Sequence, residues 1–406
     1  MNKRIDTILE AIHKRILSCD VKQMDFEDIL IGKLGLAQTS YRLYKVQNDD
    51  RYLNKVEEIL EDIFENTSQG TSTLIENPAL ADGVPGLGLV IHQLGKEGIL
   101  NDSFDEQLDI ITDTIYTKCL DAFSKENFDY FYGATGLLFF LQEVDANEKV
   151  EHLVDIFSRY GKDNDFLFYN QVDDVYSQGI NFGFAHGTLA IIAVFLEIYR
   201  KGIQQEKTKE LILKTTDALL AFKRGTIDHK TVTIMHEGYN YASFFPYNVI
   251  GKETNTFDPV LSKNIFHFTD RLGWCNSDLS RMFVLYKIGS EFNQQHYINQ
   301  ANNMISEVVA RKEEKDTAIS DCYMCHGTSG VAHLYKKIYD LTGESIFHKT
   351  YEYWIEATVD FMEKELLKEP SDKDLEMLTG WLGPLFVLSD YNGQSYKEWD
   401  RIFLLN

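Results

Sequence analysis

The chain has 406 residues, 44% of them apolar and 13% aromatic, with a net charge of -23. A chain of this size and composition buries enough surface to fold without disulfide staples, which excludes a disordered protein. Its charge repels phosphates, which excludes a nucleic-acid binder.

The N-terminal stretch "MNKRIDTILEAIHKRILSCD" alternates apolar and charged residues at helical spacing and has no continuous apolar signal core. No apolar run is long enough to span a bilayer. The expectation is a cytoplasmic protein, with any membrane association arising through partners. Five cysteines, Cys19, Cys119, Cys275, Cys322 and Cys325, are too few and odd in number for a disulfide framework.

From Gly32 onward one pattern recurs. It reads "GKLGLAQTSYRL" from Gly32, "GVPGLGLVIHQL" from Gly83, "GATGLLFFLQEV" from Gly133 and "GTLAIIAVFLEI" from Gly187. It continues as "SDLSRMFVLYKI" from Ser277, "GTSGVAHLYKKI" from Gly327 and "GWLGPLFVLSDY" from Gly380. The starts are 51, 50, 54, 90, 50 and 53 residues apart. A period near 50 residues accommodates two helices and two connections. The segments after the glycines are apolar almost all round, as in buried helices. Stretches between them, such as "RYLNKVEEILEDIFENT", are amphipathic. Each repeat therefore reads as a buried inner helix and an amphipathic outer one, with small residues where inner helices converge.

The final segment stays apolar to the chain end, with no polar capping helix of the kind an open array needs. The fold class expected is all-α, an α/α toroid of seven helix-pair repeats. It forms a single domain over residues 1–406, and the long interval holds a hairpin or irregular insertion at about residues 222–260 between repeats four and five.

Position by position, the residue before each start is Ile31, Asp82, Tyr132, His186, Asn276, His326 and Thr379. One residue earlier stand Leu30, Ala81, Phe131, Ala185, Cys275, Cys325 and Leu378. Equivalent repeats place Cys275 and Cys325, and likewise His186 and His326, at one end of the inner helices, facing a shared centre. Two thiols with an imidazole suit Zn²⁺, and three protein ligands leave a fourth position open, as in catalytic sites. The string Cys322-x-x-Cys325-His326 also spells a haem attachment, a chemistry foreign to the cytoplasm. Cys322 lies three residues further from the helix start than Cys325 and should point elsewhere.

"GFAHG" at Gly183–Gly187, "WC" at Trp274–Cys275 and "CHG" at Cys325–Gly327, in this order and spacing, resemble the LanC family of lanthionine synthetase C-like cyclases. The resemblance extends over essentially the whole chain. It implies an α/α toroid in which Cys275, Cys325 and His326 bind zinc. It also implies an activity: addition of peptide cysteine thiols to dehydroalanine or dehydrobutyrine, forming (methyl)lanthionine rings in a lantibiotic precursor. His186 matches the family's acid/base histidine, Asp129 in "DYFYG" a family aspartate, and Arg271 in "RLGWC" a family arginine. The partners implied are a dehydrated precursor peptide and, in a biosynthetic complex, a dehydratase and a transporter. One departure stands out: where the family reads Trp-Cys-Tyr-Gly, this chain has "WCNSDLS", with Asn276 and Ser277 replacing the tyrosine and glycine. Two other readings are a LanC-like scaffold without activity and another zinc thiol-activating barrel such as a prenyltransferase subunit. The second would need a basic diphosphate pocket, and no Lys/Arg cluster lies near the glycine starts.

Overall fold

The computed structural model describes residues 1–100, 104–172, 177–227, 231–237, 243–253 and 257–406. Among these the chain is helical apart from one small sheet, and no described helix is long and apolar enough to cross a membrane. It divides into two compact units, Met1–Leu108 with Ser320–Asn406, and Asp109–Ile319.

In the first unit the inner helices are Lys33–Gln47, Val84–Lys96, Thr328–Thr342 and Leu382–Tyr391. The first packs on the outer helix Asp50–Gln69 and the third on Ser345–Glu365. Asp50–Gln69 buries Tyr52, Val56, Ile59, Leu60 and Ile63, a stripe at three- and four-residue spacing. Each such large apolar side chain contributes roughly 1.5–3 kcal/mol on burial. The N-terminal helix Asn2–Ser18 packs on the last inner helix, Leu382–Tyr391, through a stripe that includes Ile5, Ile8, Ile12 and Ile16. The first helix thus supplies cover for the last repeat.

The chain end docks through a buried polar pair. His333 Nε2 lies 2.8 Å from Asp400 Oδ2, and Lys337 Nζ reaches the same oxygen at 2.6 Å. Trp399 lies against His333 and stacks on Phe386. Burial holds His333 below its ordinary value, so the neutral ring donates Nε2–H to the carboxylate. A group whose folded pKa is lowered takes up its proton more readily in the unfolded chain. We therefore expect stability to be complete above about pH 6.5, the ordinary histidine value, and to fall as the pH drops below it. Thermal melts between pH 5 and 8 check this. His333→Gln should melt lower at neutral pH and lose part of the parent's pH dependence.

In the second unit the inner helices are Ala134–Glu143, Thr188–Arg200 and Asp278–Glu291. Every residue from Ala134 to Gln142 and from Thr188 to Leu196 is buried, which explains their all-round apolar sequence. They pack on the outer helices Asn147–Asp163, Gln205–Leu220 and Gln295–Asn302.

The insertion expected at about 222–260 is a four-stranded sheet reaching beyond both limits. Its strands are β1 (Ile180–Asn181), β2 (Thr233–Glu237), β3 (Asn248–Gly251) and β4 (Asn264–Thr269), in the order β1-β3-β4-β2. β4 alternates buried Asn264, Phe266 and Phe268 with half-buried Ile265, His267 and Thr269, a period of two. β1 has two residues, too short to leave a sequence pattern. Within the expected insertion, residues 228–230, 238–242 and 254–256 lie outside the described residues.

The glycines also differ in one respect from the expectation. Gly83 and Gly187 cap their inner helices, and a Cβ at either would lie 2.0 Å from a carbonyl oxygen six residues earlier, Asn77 or Asn181. The close approach is therefore to the loop preceding each helix. The second small position differs between repeats: a Cβ at Gly383 would lie 2.8 Å from Met324 Cβ of the neighbouring repeat, whereas one at Gly330 would lie 2.0 Å from Met324 O of its own loop.

Candidate active site

Backbone hydrogen bonds join the loops that precede the inner helices at one repeat position. In the second unit Phe131 N donates to Ala185 O (3.3 Å), and Ala185 N donates to Cys275 O (3.2 Å). In the first unit Cys325 N donates to Leu378 O (3.1 Å), and Leu378 N to Leu30 O (2.9 Å). These residues share one register in the sequence repeats. Within each unit, the backbone realises that register as loop-to-loop pairing at the N-terminal ends of the inner helices.

In the second unit this brings Asp129, His186 and the Cys275 loop together. His186 Nδ1 lies 2.7 Å from Asp129 Oδ2, with the carboxylate fully buried and the imidazole one-fifth exposed. Asp129 Oδ1 accepts the Tyr132 N–H at 2.9 Å. A carboxylate can only accept, so the Asp129 contact assigns the proton to Nδ1 and fixes the tautomer. Phe131 meets the imidazole edge-on and Tyr132 lies parallel to it, with centroids 5.5 and 6.2 Å away. Ser177 Oγ is 3.4 Å from Nδ1. Trp274, beside Cys275, is buried between Phe131 and Phe184. Tyr132 and Ser177 are members of this site that spacing had not marked as functional. Tyr132 occupies the same repeat position as His186, which was the available signal. Arg271 is exposed, two residues beyond β4. The contacts of Asp129 described above come from Tyr132 and His186, not from Arg271.

In the first unit Cys325 and His326 are half-buried at the start of Thr328–Thr342. His326 Nε2 lies 3.8 Å from Asp321 Oδ2. Cys275 in the second unit, and Cys325 and His326 in the first, are each half-buried and each of a type that can ligate a metal ion. Two thiols and an imidazole fit Zn²⁺ by chemistry. Cys322 behaves differently. It is fully buried, its Sγ lies 3.3 Å from Met362 Sδ, and burial pushes its thiol well above the usual range. It is a packed apolar thiol. Cys322→Ala should leave the metal content of the purified protein unchanged, and loss of metal in that variant would contradict this packing.

A sequence model described as lanthionine synthetase C-like protein matches residues 24–404. The chain belongs to the lanthionine synthetase C-like family. Among solved structures it is similar to one described as nisin cyclase, with a TM-score of 0.67 and 16% identity over 99% of this chain and 97% of that one. This lanthionine synthetase C-like chain therefore has the expected all-α fold class, the α/α toroid. Weaker likenesses extend to the α-1,6-mannanase GH76A of Salegentibacter sp. HEL1_6, at 11% identity and a TM-score of 0.43 over 95% of this chain and 97% of that one. An inactive variant of that enzyme in complex with α-1,6-mannotriose gives 10% identity and a TM-score of 0.46 over 96% and 98%. No curated protein matches the chain by sequence.

The departure of this family member at "WCNS" has a local cause. Asn276 is buried, and its Nδ2 donates to Asn181 Oδ1 (3.0 Å) and to Tyr247 O (3.1 Å). Ser277 caps the inner helix, with its hydroxyl accepting from Ser280 N (3.2 Å) and the Ser280 hydroxyl accepting from Ser277 N (3.0 Å). A side-chain cap thus replaces the glycine used in other repeats.

Proposed function

We propose that this protein is a zinc-dependent lanthipeptide cyclase. It adds cysteine thiols of a dehydrated ribosomal precursor peptide to dehydroalanine or dehydrobutyrine, closing lanthionine or methyllanthionine rings. The observation that carries the reading is the Asp129–His186 pair on a loop hydrogen-bonded to the Cys275 loop, in a chain of the lanthionine synthetase C-like family. The structural neighbour described as nisin cyclase supports the same chemistry.

Cys275, Cys325 and His326 would hold the metal, with Asp321 near His326 Nε2 leaving Nδ1 as the donor. Zinc, when bound, lowers the pKa of a substrate thiol enough for thiolate to be the nucleophile at neutral pH. The thiolate sulfur forms a bond to the β-carbon of the dehydro residue, and the alkene electron pair moves onto the α-carbon and its carbonyl as an enolate. The proton released by the thiol is taken up at His186 Nε2, the ring nitrogen left unprotonated by the Asp129 contact, and the cationic ring then delivers it to the α-carbon, so the net change is addition of S–H across the double bond. Asp129 holds the imidazole in orientation and stabilises its cationic form. Arg271 is assigned to the charge that develops on the peptide carbonyl. The protein acts in the cytoplasm on a peptide that a partner dehydratase has modified and a transporter exports.

The test is direct. Purified protein with one zinc per chain should close thioether rings on a dehydrated precursor peptide, read as loss of thiols available for alkylation by mass spectrometry. A zinc-loaded protein that closes no rings on any dehydrated peptide rejects the reading.

A further inference from the structure

Arg281 is fully buried in the inner helix Asp278–Glu291. A buried guanidinium is costly unless its donors are satisfied. Here Nη2 donates to Pro246 O at 3.0 Å and to Asn276 Oδ1, and Nη1 faces Asp278 Oδ1 at 3.7 Å, while the buried Nε has no hydrogen-bond partner among the described residues. Burial lowers its pKa to about 10, so it remains charged at neutral pH. Asn276 spends its other end on Asn181 Oδ1 and Tyr247 O.

These partners lie on functional segments. Asn276 follows Cys275 directly. Asn181 Oδ1 also accepts Gly183 N at 2.8 Å, and Gly183 opens the "GFAHG" loop that carries His186. Pro246 and Tyr247 lead into β3 of the inserted sheet. One amide thus ties together the Cys275 loop, the His186 loop and the insertion, and one buried cation holds that amide. A side chain needed only to fill the core would serve as well if apolar, and would avoid the desolvation of a charge.

We propose that Arg281 and Asn276 form a positioning clamp that fixes the Cys275 loop relative to His186. This rests on the cyclase reading for its effect on turnover, but not for its effect on the loop. Neither residue touches the reacting atoms; both act through the loop geometry.

The test uses metal-free full-length protein, so that zinc plays no part, and compares alkylation of Cys275 with that of Cys325 by peptide mapping. Both thiols are half-buried. Cys325 lies in the other unit and serves as the internal reference. Asn276→Ala and Arg281→Met should each raise the Cys275 to Cys325 ratio severalfold, and the double variant should rise no further than the larger single, as for residues acting in one network. Arg281→Lys should restore only part of the parent ratio, because ammonium lacks the guanidinium fork. In zinc-loaded protein, kcat for ring closure should fall about ten- to a hundredfold with KM little changed, the scale of outer-sphere positioning groups. An unchanged ratio in both single variants overturns the clamp. So does a raised ratio with parent-like turnover. If Arg281→Met exposes both thiols equally, it has unfolded, and Asn276→Ala decides. If the parent closes no rings yet the ratio rises as stated, the cyclase reading fails and the clamp stands.

Discussion

His186→Ala is expected to keep its zinc and its fold and to lose ring closure by about a hundred- to ten-thousand-fold, the usual contribution of a positioned general acid. The basis is its tautomer. Asp129 is fully buried and its contact at 2.7 Å assigns Nδ1 its proton, so Nε2 is the nitrogen that takes up the thiol proton and, from the cationic ring, returns it to the substrate. The loss should appear in turnover, since alanine removes the proton donor without touching Cys275, Cys325 or His326. Asp129→Asn should also lower turnover, because an amide can donate to Nδ1 and favour the opposite tautomer. The measurement is paired: zinc content and ring formation on the same preparation. Near-parent cyclisation in His186→Ala would make the histidine a packed polar residue. Loss of zinc as well would make it a metal ligand and remove the open coordination position on which the mechanism depends.

Cys275→Ala and Cys325→Ala should each lose zinc and activity together. A free thiol with a pKa near 8.5 is only a few per cent thiolate at neutral pH, so losing the metal removes most of the nucleophile. The helical circular dichroism of both variants should match the parent. Each unit is held by inner helices buried nearly throughout, such as Ala134–Gln142, and those apolar contacts do not involve the metal donors. Metal analysis with circular dichroism before and after chelation checks both halves. Full zinc in both variants would move the site elsewhere, and helicity that collapses on chelation would make zinc structural.

The helical repeats and the register of the loops that precede the inner helices are legible in the amino-acid order alone. Inner helices announce themselves because a helix buried all round must be apolar all round, as "GLLFFLQEV" is, and outer ones because one face meets solvent. The recurring start of each inner-helix segment aligns Ala185, Cys275 and Cys325 in the sequence, and the loop-to-loop hydrogen bonds run through those same positions. Pairings between residues distant along the chain are set by the fold and not by local sequence. The bond from His186 to Asp129 spans 57 positions and that from Asn276 to Asn181 spans 95. No local pattern encodes such contacts. The same holds for β1, whose two residues become a strand only because β3 lies beside them. It holds as well for Asn276, which in the sequence is a departure from the family pattern. Its buried amide became a link between three segments only when folding placed Asn181, Tyr247 and Arg281 around it.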